Sequence, residues 1–185
     1  MTADRFYIIT GGPGSGKTTL LTALEHAGFH TVPEAARTII KEQVQTGGTA
    51  LPWKDRRRYT RLMLDRSVES YQAATEQAKK HPERLFFFDR GIPDTLCYAN
   101  MTGIGISKQM DAVARTHPYN KTVWMLPPWK EIYAIDDERK QDWAEAVFTY
   151  LQMKEIYTRY QYNVTEVPPG DVRYRSAFII ARLKL

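Results

Sequence analysis

Gly11-Gly12-Pro13-Gly14-Ser15-Gly16-Lys17-Thr18 is the stretch on which the fold of this 185-residue chain turns. It follows the apolar run Phe6–Thr10 and precedes Leu20, Leu21 and Leu24, which share one face of a helix that Gly28 ends. Strand, glycine-rich turn and helix, with the pattern GxxxxGK followed by Ser or Thr, make a phosphate-binding loop. The glycines let successive N–H groups turn inward around phosphate oxygens, and the helix N-terminus adds positive potential. Lys17 supplies a point charge to the β and γ oxygens, and Thr18 offers a hydroxyl to Mg²⁺, which keeps most of its waters. Thr19, at the edge of the same site, reads as ordinary helix. The expected ligands are ATP and Mg²⁺.

Outward from this loop, four more apolar runs read as strands: Phe29–Pro33, Leu85–Asp89, Thr122–Leu126 and Asn163–Val167. Residues from Asp55 to about Lys80 contain neither Gly nor Pro and place Leu64, Val68 and Tyr71 at helical spacing. Asp142 to about Tyr160 is a second long helix, with Trp143, Val147, Tyr150 and Leu151 on one stripe, and the chain closes on a helix from about Asp171 to Leu185. Strands alternating with helices are joined by crossovers, so the expectation is an α/β fold: a five-stranded parallel sheet with helices on both faces. Loops are marked at Gly47–Trp53, Gly103–Gly105 and Pro127–Pro128, and no repeat or linker interrupts the chain, which predicts a single domain over residues 1–185.

Composition narrows the class without choosing a partner. The formal charge is +5 with 43% hydrophobic residues, compatible with nucleic acid, a phosphorylated small molecule or mere solubility. One cysteine, Cys97, excludes an intramolecular disulfide, and no Cys/His cluster has zinc spacing. The N-terminal apolar run is too short for a signal peptide, and nothing approaches the roughly 18 apolar residues of a membrane span, so a soluble cytoplasmic protein without a membrane partner is expected.

In an open parallel sheet, ligands lie beyond the carboxyl ends of the strands, which singles out Glu34 and Asp89. Glu34 follows the second strand and is a candidate general base; its alternative is a cap or first-turn acid of the next helix. Asp89 ends Leu-Phe-Phe-Phe-Asp and is a candidate holder of a magnesium water, with a helix cap as its alternative. Arg90 would aim its planar fork at a phosphate or an acceptor, and Arg37 either does the same or makes a structural ion pair. Asp136–Lys140 reads as a short lid, at about residues 133–142, that brings Arg139 to the triphosphate on closure, or else as a solvated charge run.

Together these features resemble the nucleoside and nucleotide kinases among P-loop proteins. Pro33–Arg37, Phe87–Asp94 and Tyr162–Pro168 are most similar to a bacterial set of predicted AAA-type ATPases related to ribosylnicotinamide kinase domains. The resemblance implies ATP as phosphoryl donor, a base or acceptor contact at Glu34, a magnesium or phosphate role for Asp89 with Arg90, and an adenine contact near Val167 and Pro168. It also implies that residues 45–80 cover the acceptor. Trp53 and Tyr59 in that segment, and Tyr98 beyond it, either stack on a base or ring or belong to the core. The long lid of adenylate kinases is missing. The expected activity is transfer of the γ-phosphoryl of ATP to a hydroxyl or phosphate of a nucleoside-like molecule, by a monomer or small homo-oligomer. Two other readings stay open. One is an ATPase switch; the other is a nucleic-acid end kinase or binder, motivated by Arg56, Arg57, Arg58 and Arg61.

Overall fold

The computed structural model describes residues 2–130 and 143–183. Five strands, β1 (Phe6–Gly11), β2 (His30–Val32), β3 (Phe86–Asp89), β4 (Thr122–Leu126) and β5 (Asn163–Glu166), form one parallel sheet in the order β2-β3-β1-β4-β5. All five match expected strands, with the ends of β2, β3 and β5 trimmed by a residue or so. β1 is buried along its whole length between β3 and β4, so the loop that leaves it opens at the centre of the sheet's carboxyl edge.

Alternation along β1 divides the core. Phe6 and Ile8 point to one face, where Phe86, Phe88, Val123 and Met125 meet the helices α3 (Arg56–Lys80), α4 (Ile92–Met101), α5 (Lys108–Thr116) and α6 (Trp143–Arg159). Tyr7 and Ile9 point to the other, where Phe87, Trp124 and Leu126 meet α1 (Lys17–His26) and α7 (Val172–Ile180). Both faces are therefore covered, as a parallel sheet requires. The helix α2 (Ala35–Gln45) lies outside this layer and packs on α3 around Ile39, Tyr59 and Met63.

The long helix read at Asp55–Lys80 forms as expected, with Asp55 as its N-cap accepting from the Arg58 N–H at 2.9 Å, and with Leu64, Val68 and Tyr71 on the core side. The stripe expected on α6 is displaced. Ala146, Tyr150, Met153, Ile156 and Tyr157 are buried, whereas Trp143 and Leu151 are exposed. Apolar letters occur on two faces of that helix, and only packing selects between them. The last helix is shorter than expected, starting after the Asp171 cap. Two helices, α4 and α5, stand where the sequence reading stopped at the Gly103–Gly105 loop between them. Among the described residues no helix is long and apolar enough to cross a membrane.

Candidate functional site

The glycine-rich loop is shaped by close approach. Gly11 has φ +149°, and a Cβ there would lie 2.6 Å from the Leu126 carbonyl oxygen of β4. Gly16, the N-cap of α1, is left-handed at φ 78°. A side chain at either position would displace the loop from the sheet or strain its turn into the helix. Ser15 is buried, and its hydroxyl donates to the Gly12 carbonyl at 2.9 Å.

Lys17 is the first residue of α1 and only 6% exposed, so its amine is a buried group of the loop and not a solvated one. Burial and the neighbouring Arg90 lower its pKa to about 8, against the opposing pull of Asp89, Glu34 and Asp94. A triphosphate favours the charged amine. Binding of ATP at about pH 8 is therefore expected to draw roughly half a proton from solvent, rising toward one at higher pH. Calorimetry in buffers of different ionisation enthalpy measures this uptake, and an enthalpy independent of buffer contradicts it.

Facing Lys17 is a linked set of charges. Glu34 occupies the N-cap position of α2, yet its side chain makes no cap bond. It accepts instead from Arg90 Nε at 2.7 Å and pairs with Arg37 Nε at 3.3 Å. Burial by itself would push the Glu34 carboxyl up, but Arg90, Lys17 and Arg37 overcome it and hold its pKa below the ordinary value. Arg90 also donates through Nη1 to Asp94 Oδ1 at 3.3 Å, and its pKa stands above the usual guanidinium value because the surrounding carboxylates outweigh burial. Its backbone is left-handed at φ 68°, a costly conformation for any residue that carries a Cβ. The Arg90 N–H donates to the Ile9 carbonyl at 3.0 Å, which ties this turn to β1.

Asp89 differs from Glu34. Its Oδ1 is buried without a hydrogen-bond partner among the described residues, and its pKa is raised, by burial first and by Glu34 and Asp94 in addition, with Lys17 and Arg90 opposing. Asp94 is the carboxylate that the sequence reading left without a role. It accepts from the Gly91 N–H at 2.8 Å and from the hydroxyls of Thr10 and Tyr157. Its spacing three residues after Gly91 is a capping signal in the sequence, but Tyr157 is 63 residues away and only the fold brings it in.

Pro13, Glu34, Asp89, Arg90 and Asp94 form the phosphate-side wall of a cavity of about 250 Å³. Its remaining wall is largely apolar, with Met63, Phe88, Met101 and Met153 and the pair Tyr59–Tyr98, whose rings meet edge to face at 5.5 Å. Trp53 is 62% exposed and does not line it. Thr18 and Thr19 are exposed and line a separate shallow hollow with Thr22, Ala23, His26 and Val172 of α7. The Val167 side chain is fully buried in the core beside Leu126 and Ile179, whereas Pro168 is half-buried and Pro169 exposed at that turn. Arg139 and the lid at 133–142 fall outside the described residues.

No group of three His, Cys, Asp or Glu side chains suited to a metal occurs among the described residues. Magnesium held by nucleotide oxygens, water and one hydroxyl needs no such group. The unpartnered Oδ1 of Asp89 and the exposed hydroxyl of Thr18 fit that mode of binding.

A family model described as an AAA domain matches residues 6–175. Among solved structures, thymidylate kinase from Ehrlichia chaffeensis is similar at a TM-score of 0.61 and 17% identity, over 99% of this chain and 100% of that one. At that identity the likeness is one of fold. No curated protein compared matches the chain.

Proposed function

The chain belongs to the AAA-domain family, and from its kinase-like P-loop fold and the cavity beside the loop we propose that it is an ATP-dependent phosphotransferase acting on a small hydroxyl acceptor. The observation that carries this is the cavity itself. A half-open cavity of about 250 Å³ that shares its charged wall with the phosphate loop suits a second substrate, and lies near the small end of ligand pockets at about 300–1,000 Å³. An ATPase switch needs water at that place and no such chamber. Exposed Arg56, Arg57, Arg58 and Arg61 are consistent with a solvated helix face.

Among the described residues the cavity wall carries three carboxylates and one arginine, and that arginine is already paired with two of them. Such a wall disfavours an acceptor phosphate and favours a hydroxyl, with a nucleoside-like body against Tyr59, Tyr98 and the methionines. In this reading Lys17 and the loop amides hold the triphosphate, and Glu34 orients Arg90. Magnesium, when bound with ATP through Thr18 and an Asp89-held water, supplies positive charge to the phosphate oxygens. Glu34 is held by Arg90 and Arg37, whereas Oδ1 of Asp89 has no hydrogen-bond partner among the described residues, which supports Asp89 over Glu34 as the group that takes the acceptor proton.

Two measurements test the proposal. Incubation with ATP, magnesium and a panel of nucleosides, their monophosphates and other small alcohols is expected to yield a phosphorylated alcohol, and ATP left unconsumed with every acceptor would sink it. Once an acceptor is known, Asp89→Asn is expected to lower kcat by about 10²–10⁴-fold and to remove the acid limb of the pH–rate profile, with Glu34→Gln costing less and retaining that limb. The reverse order assigns the base to Glu34.

A further inference from the structure

Arg175 sits in the middle of α7, on the far side of the phosphate loop from the acceptor cavity, and is 5% exposed. Its Nη2 donates to the Ser15 carbonyl at 3.0 Å, and its guanidinium lies 5.9 Å from the centroid of the Trp129 ring. Nε is buried with no hydrogen-bond partner among the described residues. Among the described residues no carboxylate offsets the charge, and burial alone acts on its pKa, downward. Arg90 shows the contrast, being half-buried and paired with Glu34 and Asp94. An unpaired cation in a protein interior is costly, and a core position on a short helix would be filled more favourably by an apolar side chain.

We propose that Arg175 is a positioning residue of the nucleotide site, holding the Ser15–Gly16 peptide so that its N–H faces the phosphates and lending the loop a positive charge that bound triphosphate offsets. The first part follows from planarity. In a trans peptide the carbonyl and the next N–H point in opposite directions, so drawing the Ser15 oxygen toward α7 turns the Gly16 N–H toward the concave side of the loop. Gly16 is left-handed and free of side-chain constraint, so this peptide needs an external anchor. The second part follows from the absent counter-charge. A charged hydrogen bond also polarises the peptide, which strengthens its N–H as a donor.

The inference rests on ATP binding at the loop, not on any acceptor, so its test uses ATP alone. Wild-type protein that does not bind ATP with magnesium refutes the donor-site reading itself, whereas binding without transfer to any acceptor refutes only the kinase reading. In wild-type protein that binds, Arg175→Met is expected to leave the ligand-free Tm unchanged or raised, while weakening ATP affinity at least about tenfold and shrinking the ATP-induced rise in Tm. Arg175→Lys, which keeps the charge without the planar fork, is expected to recover part of the affinity. A merely structural arginine gives the opposite pattern: a lower ligand-free Tm and an ATP affinity equal to that of the wild type. That pattern overturns the proposal, as does an Arg175→Lys variant no better than Arg175→Met. Should Arg175→Met fail to fold, Arg175→Gln carries the same comparison, and wild-type ATP affinity in it is the overturning result.

Discussion

Replacing Lys17 with methionine is expected to abolish measurable ATP turnover, a loss of at least about 10²–10³-fold, while the folded protein becomes no less stable at neutral pH. The functional half follows from the lysine's place at the end of the phosphate loop, where a charge on the β and γ oxygens is most valuable in the transition state. The stability half follows from burial. Desolvation and Arg90 together outweigh the attraction of Asp89, Glu34 and Asp94, so the charged lysine costs the ligand-free fold free energy. With a folded pKa of about 8 against 10.5, that cost is present in full below pH 8 and fades as the pH rises to 10.5, because the folded form releases its proton first. The stability advantage of Lys17→Met is at most about 3 kcal/mol at pH 7 and shrinks toward zero near pH 10.5. Denaturant titrations of both proteins across that range give the difference directly. A variant destabilised at pH 7, or turning over ATP like the wild type, contradicts this account.

Arg90→Ala is expected to damage fold and activity together. Among the described residues its guanidinium is the group that pairs directly with both Glu34 and Asp94, whose side chains are 12% and 6% exposed. Removing one partner of buried pairs leaves the others uncompensated, at about 3–5 kcal/mol. In a chain of this size that corresponds to a Tm lower by roughly 10 °C. The left-handed backbone at φ 68° supplies an internal control. Arg90→Gly loses the same pairs without the steric penalty, so it is expected to be about 1 kcal/mol more stable than Arg90→Ala. Turnover should fall by at least about 10²-fold in both, since Glu34 and Asp94 are left without their shared partner. Thermal unfolding of Arg90→Ala at the wild-type Tm would remove the basis for this network.

Much of the fold is legible because its signals are local. A buried parallel strand is a short apolar run, the phosphate loop is a fixed pattern of glycines between strand and helix, and Asp55 before a long stretch free of Gly and Pro announces α3. The helices α4 and α5 escape because Pro93 and the glycines at 103 and 105 punctuate them, although Pro93 stands at the start of its helix, where proline is tolerated. On α6 two apolar faces compete, and only the sheet chooses between them.

The site divides in the same way. Lys17, Thr18, Glu34, Asp89 and Arg90 are found in sequence because chemistry at a strand's carboxyl end lies within a few residues of the strand. What those residues touch is not local. Arg90 meets Glu34 across 56 positions, Tyr157 meets Asp94 across 63, and Arg175 meets Ser15 across 160. Strand, turn and helix propensities act over neighbouring residues, so the parallel α/β frame and the phosphate loop can be read from the amino-acid order alone. The burial of Lys17, the clamping of Glu34 beside an Asp89 oxygen unpartnered among the described residues, and the seating of Arg175 behind the loop follow only from the packed fold. Burial and electrostatic environment are properties of what surrounds a side chain in space, and the packed sheet and its helices set them.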